Sequence, residues 1–367
     1  MASTWKGLGE RVAAARRAAG ITQEELASRL RLQRTSVTRL ESGDRTVDAL
    51  ELAALAAALR RPIGWFVGPS ENTVSSHRAA AEQREETRFD GSMDLLSSDA
   101  RFLTRLKLLP HVKPFHARVE SVDRAEDAAT SARQALGLPV EPLRELPHVA
   151  ERLGVFVGFE ELGEGGPEGC YRTHDGVNVA LVNGSWPVGR RRFTLAHEIG
   201  HHVLADAYAV DWPELGQSNG EQIINAFTIH FLMPRAGVSK RWTSLTGAGS
   251  DKRDAAIAIS AEFGVSWSAA CAQLRRFGLI DGADLEQFKR STPREGDYLE
   301  LEAAVPNDVP TCGLSPSFTT AVLKAFRRSK ISEDRALGML RGALAADQLP
   351  TPALAPLESM APDLDAF

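Results

Sequence analysis

Apolar residues recur every three or four positions along most of this chain, and only two short runs read as strands. The pattern predicts a mostly α (α+β) protein. Between residues 8 and 66 it predicts a bundle of five short helices. Leu8, Val12 and Ala15 share one helical face, and Gly20 stands where that helix would stop. "TQEE" opens the next helix, with Thr22 as cap and Glu25 reaching back to it in a capping box. Leu26, Ala27 and Leu30 form its apolar side. After a tight turn, "QRTSVTRLESG" points Val37 and Leu40 inward and ends at Gly43, and the Ala- and Leu-rich stretch 48–59 packs over the others.

The pattern fades over 70–118, where "ENTVSSHRAAAEQREETRFDGSMD" is polar and mixed in charge until Phe102–Leu109. This stretch reads as a partly helical linker. "RAEDAATSARQALGLP" is an amphipathic helix stopped by Gly137 and Pro139, and "LPHVAERLGVFVGFEEL" a helix running into a strand at Val155–Phe159. "GVNVALVN" is a second, β-branched strand. "RRRFTLAHEIGHHVL" follows as a helix, then a loop over 206–220, then "EQIINAFTIHFLMP", a helix stopped by Pro234. Residues 251–263 and 266–277 are again helical, and 316–346 read as a helical pair turning near Ile331–Ser332. The expected division is a head at 1–68, a linker at 69–118, a main domain at 119–282, C-terminal helices of unassigned role at 283–350 and a disordered, proline-rich tail at 351–367.

Composition adds three constraints. The chain carries no N-terminal signal pattern and no apolar run near the roughly 20 residues that span a bilayer, so no membrane partner is expected. The three cysteines (Cys170, Cys271, Cys312) never pair as CxxC, which speaks against a disulfide framework or thiolate cluster and for a reducing cytoplasm. Charge is uneven. Residues 1–67 hold eleven Lys or Arg against seven Asp or Glu, a balance of +4 in a chain of net −5, so the rest carries −9. A basic head on an acidic body suits a head that meets an anion.

Two short helices joined by a tight turn, in a basic bundle, suit double-stranded DNA. On the second helix the outward positions are Arg34, Thr35, Ser36 and Arg39. An arginine can bond two guanine acceptors at once, and the hydroxyls serve bases or phosphates. Gln23, opening the preceding helix, is placed for a phosphate. The plainer reading of the same face is a solvated surface or a protein contact. The whole stretch "RVAAARRAAGITQEELASRLRLQRTSVTRLESGDRTVDALELAALAAAL" resembles the XRE (Cro/repressor-like) helix-turn-helix family, which implies DNA binding.

"FTLAHEIGHHVL" places His197 and His201 four residues apart, hence on one helix face, with Glu198 beside the first. Zinc wants neutral imidazoles converging on a point, and such a pair supplies two. Glu198 lies about 100° round the helix from His197, so it can adjoin the metal without ligating it and serve as the proton acceptor for attacking water. His202, about 140° from His197, should point elsewhere, into supporting structure or to the surface. A third ligand is needed. Asp206, Asp211, Glu214 and Glu221 are the candidates, and Glu221 is preferred because Ile224, Phe227 and Phe231 can dock its helix firmly. Asn225, one turn on, is placed to orient that carboxylate or simply to face solvent. Tyr171, His174, Tyr208 and His230 are candidates to stabilise an oxyanion. Cys170 reads as a buried thiol rather than a metal-blocking thiolate, and Arg190–Arg192 as a solvated loop rather than a site for acidic substrate.

"VNVALVNGSWPVGRRRFTLAHEIGHHVL" followed by "EQIINAFTIHFLMP" resembles the ImmA/IrrE family of zinc metallopeptidases over roughly residues 120–280. The resemblance implies a zincin-like domain with a small sheet, Zn2+ held by His197, His201 and Glu221, and Glu198 as catalytic residue. Ile223, Ile224 and Thr228 depart from the family's usual small and acidic residues but leave the carboxylate in place. It also implies an endopeptidase that cuts a helix-turn-helix repressor, releasing stress or mobile-element genes. The strand Gly176–Asn183 is a candidate edge for an extended substrate. Two other classes fit parts of the pattern: a transcription regulator whose metal is structural or sensory, and an antitoxin-like module that binds a partner. Oligomeric state stays open, a dimer being one option.

Overall fold

The structure, a computed structural model, describes residues 4–59, 63–67, 75–77, 83–117, 119, 121–163, 167–204 and 217–352. The expected tail thus lies almost wholly outside the described residues, as do Asp206, Tyr208, Asp211 and Glu214.

The head consists of α1 (Trp5–Ala18), α2 (Gln23–Leu30), α3 (Arg34–Glu41), α4 (Ala49–Ala58) and α5 (Ile63–Val67). Local chemistry sets its helix starts. Thr22 Oγ1 accepts from the Glu25 N–H (3.1 Å) while Glu25 accepts from the Thr22 N–H (2.6 Å), and the Asp48 carboxylate accepts from Glu51 at the start of α4. Leu8, Val12, Leu26, Val37, Leu40, Leu55 and Phe66 close one small core. α1 and α3 touch almost backbone to backbone at Gly9, where a Cβ would lie 2.4 Å from the Leu40 carbonyl oxygen.

The body is built on a sheet of β1 (Ser75–His77), β2 (Val155–Glu160), β3 (Gly169–His174), β4 (Val177–Asn183) and β5 (Gly313–Leu314), in the order β1-β3-β4-β2-β5. β2 and β4 are parallel and the other pairings antiparallel. β4 is therefore interior, flanked on both sides, so its expected role as a free edge is corrected; β3 lies between it and β1. Alternation divides β4 between two cores: Val177, Val179 and Leu181 on one face, Ala180 and Val182 on the other. The second face carries α7 (Ala125–Ala135), α8 (Leu146–Leu153), α9 (Val188–Val203), α10 (Gln217–Leu232), α11 (Arg235–Gly247), α12 (Lys252–Phe263) and α13 (Trp267–Arg276). No single helix among the described residues is long and apolar enough to cross a membrane.

The first face differs from expectation. Within the stretch read as linker, α6 (Gln83–Arg105) buries Phe89, Met93, Leu96, Ala100 and Leu103 against the sheet. These sit one or two turns apart, but Asp94, Ser97, Ser98 and Asp99 fall between them and dilute the pattern. The C-terminal helices are also part of this core. Beyond α14 (Gly282–Arg290) and α15 (Glu295–Glu300), β5 extends β2, and α16 (Pro316–Arg327) sets Phe318 edge-on to Phe156 at 6.1 Å. Glu151 of α8 accepts from the Ser317 and Phe318 N–H groups at the start of α16, supplying the cap that Ser315 does not, its hydroxyl accepting from the Val157 N–H instead. α17 (Glu333–Leu340) packs on α16, and its Arg335 pairs with the buried Asp99 of α6.

Candidate metal centre and helix-turn-helix surface

α9 is buried along nearly its whole length: Leu195, Ala196, Ile199 and Val203 face the core. α10 docks on it through Ile224, Phe227 and Phe231, the two phenyl rings stacked at 5.3 Å. This places three donors together. His197 Nε2 and His201 Nε2 are 3.2 Å apart, and the Glu221 carboxylate oxygens lie 3.3 Å from the first and 3.6 Å from the second. His197 and His201 are 1% and 6% exposed, whereas the Glu221 side chain is 42% exposed, so the cluster opens on the Glu221 side. Burial, reinforced by His197 and opposed by Glu221, pushes His201 down to about 3. At neutral pH it is an uncharged imidazole, the form that ligates a metal. Donors at about 2.0–2.2 Å from a tetrahedral ion stand about 3.2–3.6 Å from one another. The cluster has that spacing, so its residues fit such an ion.

Glu198 is 1% exposed and is not one of the three. It lies against the start of β3: a Cβ at Gly169 would sit 2.8 Å from Glu198 Oε1 and 2.5 Å from Thr194 Cγ2. Only a residue without a side chain leaves room for the carboxylate there. The preceding Glu168 is buried, accepts from the Thr194 hydroxyl (3.1 Å) and pairs with Arg190 (2.6 Å). Reasoning from sequence missed Gly169 and Glu168. "PEGCYR" contains no pattern that marks them, and their importance comes from a strand pairing remote in sequence.

The neighbouring residues sort themselves by contact. His202 is buried rather than on the surface. Its Nε2–H donates to the Leu153 carbonyl (2.9 Å) and Nδ1 meets the Tyr171 hydroxyl (2.9 Å), which ties the far side of α9 to the end of α8 and to β3. Tyr171 is thus engaged away from the cluster. His230 bonds Gln273, and His174 meets Asp175 beside the β3–β4 turn, so neither faces the donors. Cys170 is buried on the opposite face of the sheet, among the residues under α6. Arg190–Arg192 belong to α9 and not to a solvated loop. Arg190 lies over Trp186 at 3.7 Å, Arg191 donates to the Val309 and Trp186 carbonyls, and Arg192 is fully buried against Asp308. Asn225 is half-buried one turn from Glu221.

On the head, Arg34, Thr35 and Arg39 are exposed and Ser36 is half-buried, while Val37 and Leu40 are in the core. Gln23 is less free than its position suggested. Its amide donates to Glu41 (2.8 Å) and accepts from the Thr38 hydroxyl (3.2 Å), and Glu41 in turn accepts from Arg16 at 2.6 and 3.0 Å. This polar lattice holds α1, α2 and α3 in fixed relation. A phosphate at the start of α2 would therefore meet the Gln23 backbone N–H rather than its amide.

Comparison with known families agrees with both halves. Residues 12–66 match the model of the helix-turn-helix family, and residues 150–275 match that of the peptidase family described as the IrrE N-terminal-like domain. No curated protein matches the chain. The matched segments contain, respectively, the α2–α3 pair and the His197–Glu198–His201–Glu221 group, so the chain joins an XRE-type helix-turn-helix DNA-binding domain to a metallopeptidase domain of the ImmA/IrrE type.

Proposed function

We propose that the chain is a zinc endopeptidase with a DNA-binding head, which cuts a helix-turn-helix repressor and so releases stress or mobile-element genes. The observation that carries this reading is the convergence of two imidazoles and one carboxylate, with the buried Glu198 next to His197 along the helix and not among the donors. His197, His201 and Glu221 would hold Zn2+. When bound, the ion supplies Lewis-acid polarisation to the peptide carbonyl and the attacking water. Glu198 accepts the proton of that water as it adds to the carbonyl carbon, then delivers it to the leaving nitrogen as the C–N bond breaks. Burial of Glu198 excludes bulk water from this transfer. A purely structural or sensory metal would need no such base, and an antitoxin-like module would need neither. Incubation with a chelator is expected to abolish cleavage of a co-expressed repressor, and added Zn2+ to restore it. Cleavage that persists at full rate in metal-free protein would remove the basis of the proposal.

For the head, Arg34, Thr35, Ser36 and Arg39 are proposed to meet base edges in the major groove, with the start of α2, at Gln23, on a phosphate. Arg39→Ala is expected to weaken binding to the specific site by about 1–3 kcal/mol and binding to random DNA far less. Titration of both DNAs at one salt concentration checks this, and equal losses would reduce Arg39 to a phosphate contact.

A further inference from the structure

β1 sits in the connection between the head and α6, and it pairs antiparallel with β3: Ser75 opposite Arg172, Ser76 opposite Tyr171 and His77 opposite Cys170. The other flank of β3 is taken by β4. β1 therefore covers the one side of β3 on which a further strand could add. β3 itself starts beside Glu198: a Cβ at Gly169, the residue before Cys170, would stand 2.8 Å from Glu198 Oε1. An extended peptide brought to Glu198 by strand addition would need the positions that Ser75–His77 hold.

Resting on the peptidase reading above, we propose that Ser75–His77 is an intrachain competitor for substrate: it fills the docking edge, and the body accepts an extended protein segment only when this strand is displaced. Its hold is weak by construction. Ser-Ser-His brings no large apolar side chain, the surrounding "ENTVSSHRAAAE" offers only Val74, and a three-residue strand relies on its backbone hydrogen bonds. Displacing it leaves both neighbours intact. α6 is anchored independently by Phe89, Met93, Leu96, Ala100 and Leu103, and the head has its own core. An edge with nothing on it would be a template for indiscriminate pairing, which a weak internal strand prevents without closing the site for good.

Successive N–H groups of a strand point to opposite sides, so one of two adjacent residues must donate toward β3. Replacing both by proline, Ser75→Pro with Ser76→Pro, removes that donor whichever it is. The comparison is made in full-length Glu198→Gln protein with Zn2+ present, so that no cleavage enters the measurement. A fluorescent synthetic peptide of residues 71–82 is expected to bind the double-proline chain at least tenfold more tightly than the chain with its native linker, read by anisotropy. Hydrogen exchange at one or more amides of Cys170–Arg172 is expected to quicken at least tenfold. Unchanged exchange, or equal peptide affinity for the two chains, overturns the proposal. If both changes occur but the double-proline chain with Glu198 intact hydrolyses no peptide, it is the peptidase reading that fails, and the strand's occupancy of the edge stands.

Discussion

Glu198→Gln is expected to keep its zinc and to lose cleavage by about a hundredfold or more, whereas Glu221→Ala is expected to lose both. The substitution at 198 preserves size and polarity in a pocket where even the Cβ of a neighbouring residue would not fit, so the fold around Gly169 is not disturbed. It removes only the proton acceptor. Glu221, by contrast, supplies the oxygens 3.3 and 3.6 Å from the two imidazoles, and alanine leaves two donors where an ion needs three. Elemental analysis of the purified proteins reads the metal, and a gel of a co-expressed repressor reads the chemistry. Wild-type cleavage by Glu198→Gln would exclude the mechanism. Full zinc in Glu221→Ala would move the third donor elsewhere, with Asp206 the next candidate.

Arg192→Ala is expected to destabilise the body by about 3–5 kcal/mol, the cost of breaking a buried ion pair by removing one partner. The guanidinium is fully buried. It donates to the Leu143 carbonyl (2.9 Å), the Gly264 carbonyl (3.3 Å) and Asp308, whose other oxygen accepts from the Leu146 N–H (3.1 Å). One side chain of the metal-site helix thus fastens the starts of α8 and the end of α12 to the segment before β5. Removing it strands a carboxylate and two carbonyls and leaves a cavity. Denaturant midpoints of Arg192→Ala, Asp308→Asn and the double variant would show strong coupling. A loss under about 1 kcal/mol for the single change would mean that water enters and replaces the guanidinium.

The readable parts of this fold are those whose cause is local. The capping box of Thr22 and Glu25, the Val37–Leu40 stripe and the two histidines on α9 each follow from residues within one or two turns. Glu221 required one further step, that its helix carry an apolar face able to dock, and the structure brings it to both imidazoles. What stayed hidden depends on partners far along the chain. β4 reads as a candidate edge until β2 and β3 flank it, and Glu151 looks like an ordinary helix-surface acid until α16 arrives 166 residues later. α6 reads as linker because the five apolar side chains it buries among the described residues are separated by polar ones, some of which are clamped: Asp99 by Arg335, and Asp94 by Arg172. Charged residues in the seam of this helix act as joints, although by pattern alone they read as part of a polar linker.

Within the HEIGH segment, the positions between the histidines are usually treated as spacers. Gly200 is not one. It lies where α10 crosses, and a methyl there would stand 3.0 Å from Ile224 Cγ2 and 3.1 Å from Phe227 Cδ1. Glycine inside a helix costs about 0.5–1 kcal/mol relative to alanine, and here that cost lets two helices approach by a few tenths of an ångström more than any side chain would permit. Ligand distances in a metal site tolerate about 0.2 Å. The calibration of the centre, as distinct from its chemistry, therefore resides in an atom that is missing, and a helix that presents the same two histidines and the same glutamate on a bulkier spacer would carry the right ligands at the wrong gauge.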